Sequence, residues 1–213
     1  MEKKKISQAV LKRLPDYLEY LKSLPEDPHA HISATALASA LGRGEVQVRK
    51  DLAMVSDGGR PRIGYLRGAL IEDIEQFLGY DNTNDAVLIG AGKLGQALLE
   101  YRGFEEYGLN ILAAFDVDPT LKQTEGGKPV YPLGDLESYC RRHKVLMAII
   151  TVPADHAQAV ANKLVSCGIK AIWNFAPARL DVPSNILVQY ENMATSLAVL
   201  SMHLQAHIKD EKK

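Results

Sequence analysis

Apolar residues at Val10, Leu11, Leu14, Leu18, Leu21 and Leu24 recur every three or four positions, a spacing that predicts a helix from about Ser7 to Leu24. Pro15 lies inside it and should kink or split it, because proline lacks the amide a helix interior needs. Pro25, Asp27 and Pro28 end the segment. Ser33 then offers an N-cap for a short helix through Leu37 and Leu41 that stops at Gly42. After the turn Gly42-Arg43-Gly44 a third helix is predicted from about Glu45 to Val55. Helix, helix, glycine turn and helix is the order of a helix-turn-helix unit. On the third helix Val48, Leu52 and Val55 share one face, so Val46, Gln47, Lys50, Ala53 and Met54 project around the other, with Arg49 on the flank. The glycines and proline of the segment Asp57 to Leu66 fit a hairpin, and a basic hairpin after a recognition helix reads as a wing. One more amphipathic helix carries Leu70, Ile71, Ile74, Phe77 and Leu78 and closes at Gly79, and the polar stretch from Gly79 to Asp85 reads as a linker.

Beyond it the pattern changes to short apolar runs alternating with helical stretches, as in a parallel sheet covered by helices. Strands are predicted near Ala86–Ile89, Ile111–Phe115, Val145–Ile150, Ala171–Trp173 and Ile186–Gln189, with helices near Leu94–Tyr101, Asp135–His143 and Ala154–Ser166. A last helix, from about Asn192 to His207, lines up Leu197, Leu200, Leu204 and Ile208 on one face, which either caps its own sheet or covers a partner subunit. The expected organisation is therefore α/β: a winged-helix domain over 1–79, a Rossmann-type domain over 80–190, and a C-terminal helix and tail over 191–213.

Gly90-Ala91-Gly92-Lys93-Leu94-Gly95 matches GxGxxG between an apolar strand and a helix. In such a motif the first glycine permits the tight turn, the second lets a pyrophosphate approach the backbone, and the third lets helix and strand pack closely. The phosphates then meet unpaired amides at a helix N-terminus. Asp116 ends the next predicted strand, 26 residues from Gly90. A carboxylate there accepts bonds from the ribose hydroxyls and repels a 2′-phosphate, which favours NAD(H) over NADP(H). Two further loops follow predicted strands. Thr151 is placed to reach a phosphate or ribose, while Asn174, Phe175 and Pro177 are candidates to line a nicotinamide pocket, with ordinary turn duty as the alternative for each.

The formal net charge of −1 conceals an uneven distribution. Arg43, Arg49, Lys50, Arg60, Arg62 and Arg67 face only Glu45, Asp51 and Asp57 in the same stretch, and Lys3, Lys4, Lys5, Lys12 and Arg13 face only Glu2. Local excess of this kind allows a near-neutral protein to meet a phosphate backbone, although a solvated surface is the plainer alternative. For DNA, Gln47 and Lys50 are placed near base edges, Arg49, Arg60 and Arg62 against phosphates or the minor groove, and Ser33 joins them as a contact. No apolar run is long enough to span a bilayer and the N-terminus shows no signal-peptide core, so a cytoplasmic location is expected. Cys140 and Cys167 form no CxxC motif and are expected to be packed thiols.

The chain resembles the bacterial redox-sensing repressor family Rex over nearly its whole length. The resemblance is carried by Arg13-Leu14-Pro15-Asp16-Tyr17-Leu18, Gln47-Val48-Arg49-Lys50-Asp51-Leu52, Gly64-Tyr65, the glycine motif, Phe115-Asp116-Val117-Asp118-Pro119 and Asn174-Phe175-Ala176-Pro177. It implies a homodimer with exchanged C-terminal helices, two winged helices on an inverted-repeat operator in double-stranded DNA, and release of that DNA by NADH but not by NAD. It also implies that Tyr101 responds to the nicotinamide redox state. The sequence departs from some members in carrying Asn192 where they have an acid at the start of the final helix, and Glu19 where they have an arginine that can partner this acid.

Two competing readings remain at this level. A small NAD-dependent oxidoreductase would need a substrate domain and an acid/base constellation. Asp155-His156 is merely adjacent, and His203 and His207 have metal-ligand spacing without a third ligand. A DNA-binding module for another adenine ligand, such as CoA, differs from the sensor reading only in the ligand.

Overall fold

The computed structural model describes residues 7–80, 84–118, 120–124 and 126–210. The chain forms two compact units, one of Met1–Asn82 with Glu106–Gly108 and the other of Thr83–Glu105 with Leu109–Lys213. Lys3, Lys4 and Lys5, the middle of the expected linker (81–83) and Pro119 lie outside the described residues.

In the first unit α1 (Gln8–Ser23), α2 (Ala34–Ala40), α3 (Glu45–Val55) and α4 (Arg67–Leu78) surround one core, joined by a two-stranded antiparallel sheet of β1 (His31–Ile32) and β2 (Tyr65–Leu66). Ser7 and Ser33 cap α1 and α2 through hydroxyls that accept from Val10 and Ala36 amides, and Gly79 closes α4 in the left-handed conformation. Pro15 does not split α1 as the sequence suggests. The missing backbone bond costs about 3 kcal/mol, but Leu14, Leu18 and Leu21 on either side are fully buried, and each such side chain returns roughly 1.5–3 kcal/mol.

The second unit is a six-stranded, all-parallel sheet of β3 (Asn84–Ile89), β4 (Leu109–Asp116), β5 (Val130–Pro132), β6 (Met147–Ile150), β7 (Ala171–Asn174) and β8 (Leu187–Tyr190), in the order β5-β4-β3-β6-β7-β8. Numbered from its own first strand this is 3-2-1-4-5-6, the order of a dinucleotide-binding sheet, whose reversal lies between its first and fourth strands. Helices α5 (Lys93–Glu100), α6 (Leu136–His143) and α7 (Ala154–Ser166) accompany it, with a 3-10 turn over Arg102–Tyr107. Two clusters of buried apolar residues fill the sheet faces. Asn84 and Asp85, expected in the linker, already pair in β3. β5 escapes sequence reading because Pro129 and Pro132 punctuate it; as the sheet edge beside β4 it tolerates proline, which a central strand would not.

The last helix, α8 (Met193–Asp210), begins at Asn192, whose Oδ1 accepts from the amides of Ala194 (3.0 Å) and Thr195 (3.3 Å). Leu197, Leu200 and Leu204 are 63%, 64% and 55% exposed, so the single chain does not cover the apolar stripe.

Candidate functional site

The strand order fixes where a ligand belongs: outside the carboxyl ends of β3 and β6, where the connections diverge to opposite sides. The three glycines divide the work there. Gly90 has φ +101°, and its amide donates to the Phe115 carbonyl (2.9 Å), binding the turn to β4. A Cβ on Gly95 would lie 1.9 Å from the Gly90 carbonyl oxygen, so only glycine lets α5 pack this close. Around Gly92, the N-cap of α5, a Cβ would meet nothing within 4 Å. Its backbone therefore faces open space at a helix N-terminus, where an anion meets unpaired amides and the positive end of the dipole.

Asp116 stands at the end of β4 with Oδ2 accepting from the Ala91 amide (2.6 Å) and Oδ1 from the Asp118 amide (2.9 Å). A carboxylate has about four acceptor positions, so these two bonds aim the group and leave capacity for a diol. Thr151 follows β6: its amide donates to the Ile89 carbonyl (2.9 Å) and its hydroxyl donates to Gly90 (2.7 Å) or Ile89 (3.1 Å). The threonine thus braces the glycine turn. Gly90, Gly92, Asp116 and Thr151 share the lining of one cleft of about 470 Å³ with Val117, Leu133, Pro153, His156, Val160 and Lys163. Ala91 is buried beneath it, while Lys93 and Leu94 are exposed on the first turn of α5. His156 and Lys163 were not among the expected site residues; a helix after β6 at the switch point was the available signal.

Phe175 and Pro177 line a second hollow of about 630 Å³ with Tyr190, Glu191, Asn192 and Met193. Asn174 differs from its sequence reading. It is fully buried, its amide group donates to the carbonyls of Ala176 (3.1 Å) and Ala178 (2.9 Å), and its oxygen accepts from the Ala176 amide (3.1 Å). It shapes the loop that presents Phe175 and Pro177 and has no face toward the hollow. Tyr101 is 57% exposed and starts a run of edge-on and tilted rings, Tyr101 to Phe104 (4.8 Å), Phe104 to Trp173 (5.5 Å) and Trp173 to Phe175 (4.8 Å). Trp173 donates its indole N–H to Glu191 (2.9 Å).

In the first unit, Gln47, Arg49, Lys50, Arg60 and Arg62 are exposed and Val48 and Leu52 are buried, as helical phasing requires. Ser33, Arg49, Arg60 and Arg62 line one groove of about 410 Å³ with Thr35 and Gly59. The Ser33 hydroxyl accepts from the Ala36 amide (3.0 Å) and is therefore committed first to capping α2. Arg60 and Gly64 exchange both backbone hydrogen bonds (2.9 Å each), closing a tight loop in which Arg62 takes φ +66°. Gly64 is forced: its φ is +92° and a Cβ would lie 2.3 Å from the Ile32 carbonyl oxygen.

The charge map read from sequence needs correction. Arg67 is buried and donates to the Pro25 carbonyl, Arg43 pairs with Asp16, and Arg49 pairs with Glu45. Arg13 and Asp51, counted as surface charges, meet each other instead, with Asp51 only 3% exposed. Arg13 Nε and Nη2 donate to the two carboxylate oxygens (2.7 and 2.8 Å), and the Tyr17 hydroxyl donates to Oδ2 (2.9 Å). The bond to Asp51 raises the Arg13 pKa further. Burial, then the neighbouring carboxylate, raises that of Tyr17.

No group of three or more metal-ligating side chains occurs among the described residues, and none of their helices is long and apolar enough to cross a membrane. A winged helix and a dinucleotide-type sheet in one chain define a DNA-binding regulator with a nucleotide-binding fold. Family models described as "Putative DNA-binding protein N-terminus" and "CoA binding domain" match residues 5–53 and 81–178. The redox-sensing transcriptional repressor Rex of Treponema denticola is 42% identical over 95% of this chain and 97% of its own length. That of Bacteroides thetaiotaomicron is 41% identical over 92% and 90%. Among solved structures, RSP in complex with beta-NAD+ and operator DNA has a TM-score of 0.88 at 34% identity, covering 98% of this chain and 97% of that one. RSP in complex with beta-NADH has a TM-score of 0.85 at 33% identity, covering 99% and 100%. The chain belongs to the Rex family of redox-sensing transcriptional repressors.

Proposed function

We propose that this chain represses transcription by binding an inverted-repeat DNA operator and leaves it when NADH occupies the cleft between Gly90, Asp116 and Thr151. The carrying observation is the cleft itself: an open helix N-terminus at Gly92 beside an aimed acid, at the point where the sheet order reverses. The first feature suits a pyrophosphate and the second a ribose diol, which together describe a dinucleotide without a 2′-phosphate. Both NAD+ and NADH accompany the RSP structures of similar fold, and operator DNA accompanies one of them. The CoA-domain match favours one competing ligand, so CoA belongs in any binding comparison.

Redox discrimination follows from charge. Oxidised nicotinamide is a cation and reduced nicotinamide is neutral: the apolar Phe175 and Pro177 penalise the oxidised ring, and the Glu191 carboxylate in the same hollow favours it. The preference for NADH rests on the apolar side chains outweighing that carboxylate, whose charge is already engaged by the Trp173 indole. A ligand shifts the protein between conformations only by its difference in affinity for them. The DNA-compatible state is then one in which two recognition helices meet half-sites about one turn apart, roughly 34 Å. The second subunit enters through α8. Its uncovered leucines require a partner surface, and exchange of this helix within a homodimer supplies one. Asn192 keeps the helix cap without a negative charge, so the switch in this chain works without the acid found there in some relatives. On the DNA side, Gln47 and Lys50 read base edges, while Arg49, Arg60 and Arg62 engage phosphates or the minor groove, beside Ser33 at the foot of α2. The protein acts in the cytoplasm, where nicotinamide cofactors and DNA are both at hand. Direct binding of NADH, NAD+, NADPH and CoA to the purified full chain tests the ligand assignment: NADH binds most tightly, and a preference for CoA would replace the redox reading.

A further inference from the structure

We propose that Asp51 is a positioning residue for operator recognition, and that α1, through Arg13 and Tyr17, sets the orientation in which α3 presents Gln47, Arg49 and Lys50. The inference rests on the operator-binding reading above. An acid in the middle of a helix that approaches a polyanion would repel phosphate if it faced outward. Asp51 follows Lys50 directly, yet its side chain is turned inward and buried. Three donors on α1 reach it: Arg13 Nε, Arg13 Nη2 and the Tyr17 hydroxyl, at 2.7, 2.8 and 2.9 Å.

The geometry is directional where the rest of the packing is not. Val48 and Leu52 sit in the same core as Leu14 and Leu18, but the hydrophobic effect that drives their burial is non-directional. A guanidinium fork on a carboxylate fixes plane and angle as well as distance. By backbone, α3 lies closer to α2 than to α1, so the long side chains of Arg13 and Tyr17 are the polar tie between the first helix and the recognition helix. Tyr17 in turn carries the Arg43 guanidinium 5.9 Å over its ring, and Arg43 lies in the short connection from α2 into α3. A buried ion pair of this kind adds little net stability over an apolar substitute, and its best-attested use is to fix register.

The test uses the full chain and a duplex that this protein itself enriches from a randomised inverted-repeat pool, with a scrambled duplex as reference. Asp51→Asn keeps the shape of the side chain and one acceptor but removes the charge. It is expected to lower affinity for the enriched duplex by about 10-fold or more while scrambled binding stays within about twofold, because phosphate contacts carry the non-specific part. The salt dependence of scrambled binding and the affinity for NADH stay at parent values. Arg13→Lys, which keeps the charge and loses the fork, gives the same loss of discrimination, and the double variant is no worse than either single one. A fall of both duplexes in parallel, or no loss of discrimination, overturns the proposal. Where Asp51→Asn does not fold, Tyr17→Phe removes one donor and leaves the ion pair; discrimination then falls about two- to fivefold, and an unchanged value is equally fatal. If the parent enriches no duplex, the operator-binding reading fails rather than this one.

Discussion

The two units build their sites from opposite materials. The nucleotide cleft is mostly backbone: a turn at Gly90, an open helix end at Gly92, a close packing at Gly95, and one acid held by the Ala91 amide. The surface proposed to meet DNA is side chains on a helix and a loop, with a buried ion pair beneath the helix. The lesson is that a backbone site tolerates almost no change at its glycines, whereas a side-chain surface loses function in steps.

That contrast is broken most forcefully at Gly95. Replacing it by alanine puts a methyl group where a carbonyl oxygen stands, and overpacking of this kind costs about 3 kcal/mol. NADH binding is expected to be lost and the nucleotide unit to melt early by calorimetry, while the helical unit keeps its own transition. A single cooperative transition shared by both would erase the distinction between the units. Next in size is Asp116→Ala. Hydrogen bonds to a charged group are worth about 1.5–3 kcal/mol, so NADH affinity should fall roughly 10- to 100-fold and the preference over NADPH should narrow, as read by titration calorimetry.

On the DNA side Arg62→Gly separates function from stability. The residue holds φ +66°, a conformation that costs an L-side chain about 1 kcal/mol and that glycine adopts without strain. Glycine also loses more chain entropy on folding, so the variant is expected to change in stability by less than about 1 kcal/mol. It should nevertheless bind operator several-fold more weakly, with a salt slope smaller by about one. Unchanged DNA binding would remove the wing from the interface. The smallest effect concerns alkaline pH. Burial pushes the Cys140 thiol up to about 11 from an ordinary 9.0, and Cys167 also rises, mainly by burial. A raised folded pKa means stability is fully present below about 9 and is lost as pH climbs through about 11. Cys140→Ala should flatten that limb for the nucleotide unit alone. Buried and half-buried phenols add to the decline in both units, Tyr139 in the nucleotide unit and Tyr17, Tyr65 and Tyr80 in the helical one, all raised mainly by burial.

The same contrast governs what could be read in advance. That Gly90, Gly92, Asp116 and Thr151 line one cleft is legible because each marks a strand end, and the strand order brings those ends together. The phasing of α3 was legible from Val48 and Leu52. Asp51 was not, since nothing within its own helix says that Arg13, 38 residues away, will meet it. Asn174 stood at the right loop, but its amide satisfies the loop's own backbone, a role that residue type alone does not distinguish from ligand contact. β5 was hidden by its prolines and Pro15 promised a break, because an edge position in one case and buried leucines in the other outweigh local preference.

Fluorescence anisotropy of the full chain on its enriched, labelled duplex, titrated with NADH and in parallel with NAD+, tests the central claim most directly. NADH is predicted to release the DNA at concentrations where NAD+ leaves the complex intact. Release by both ligands at equal concentrations, or by neither, would contradict it.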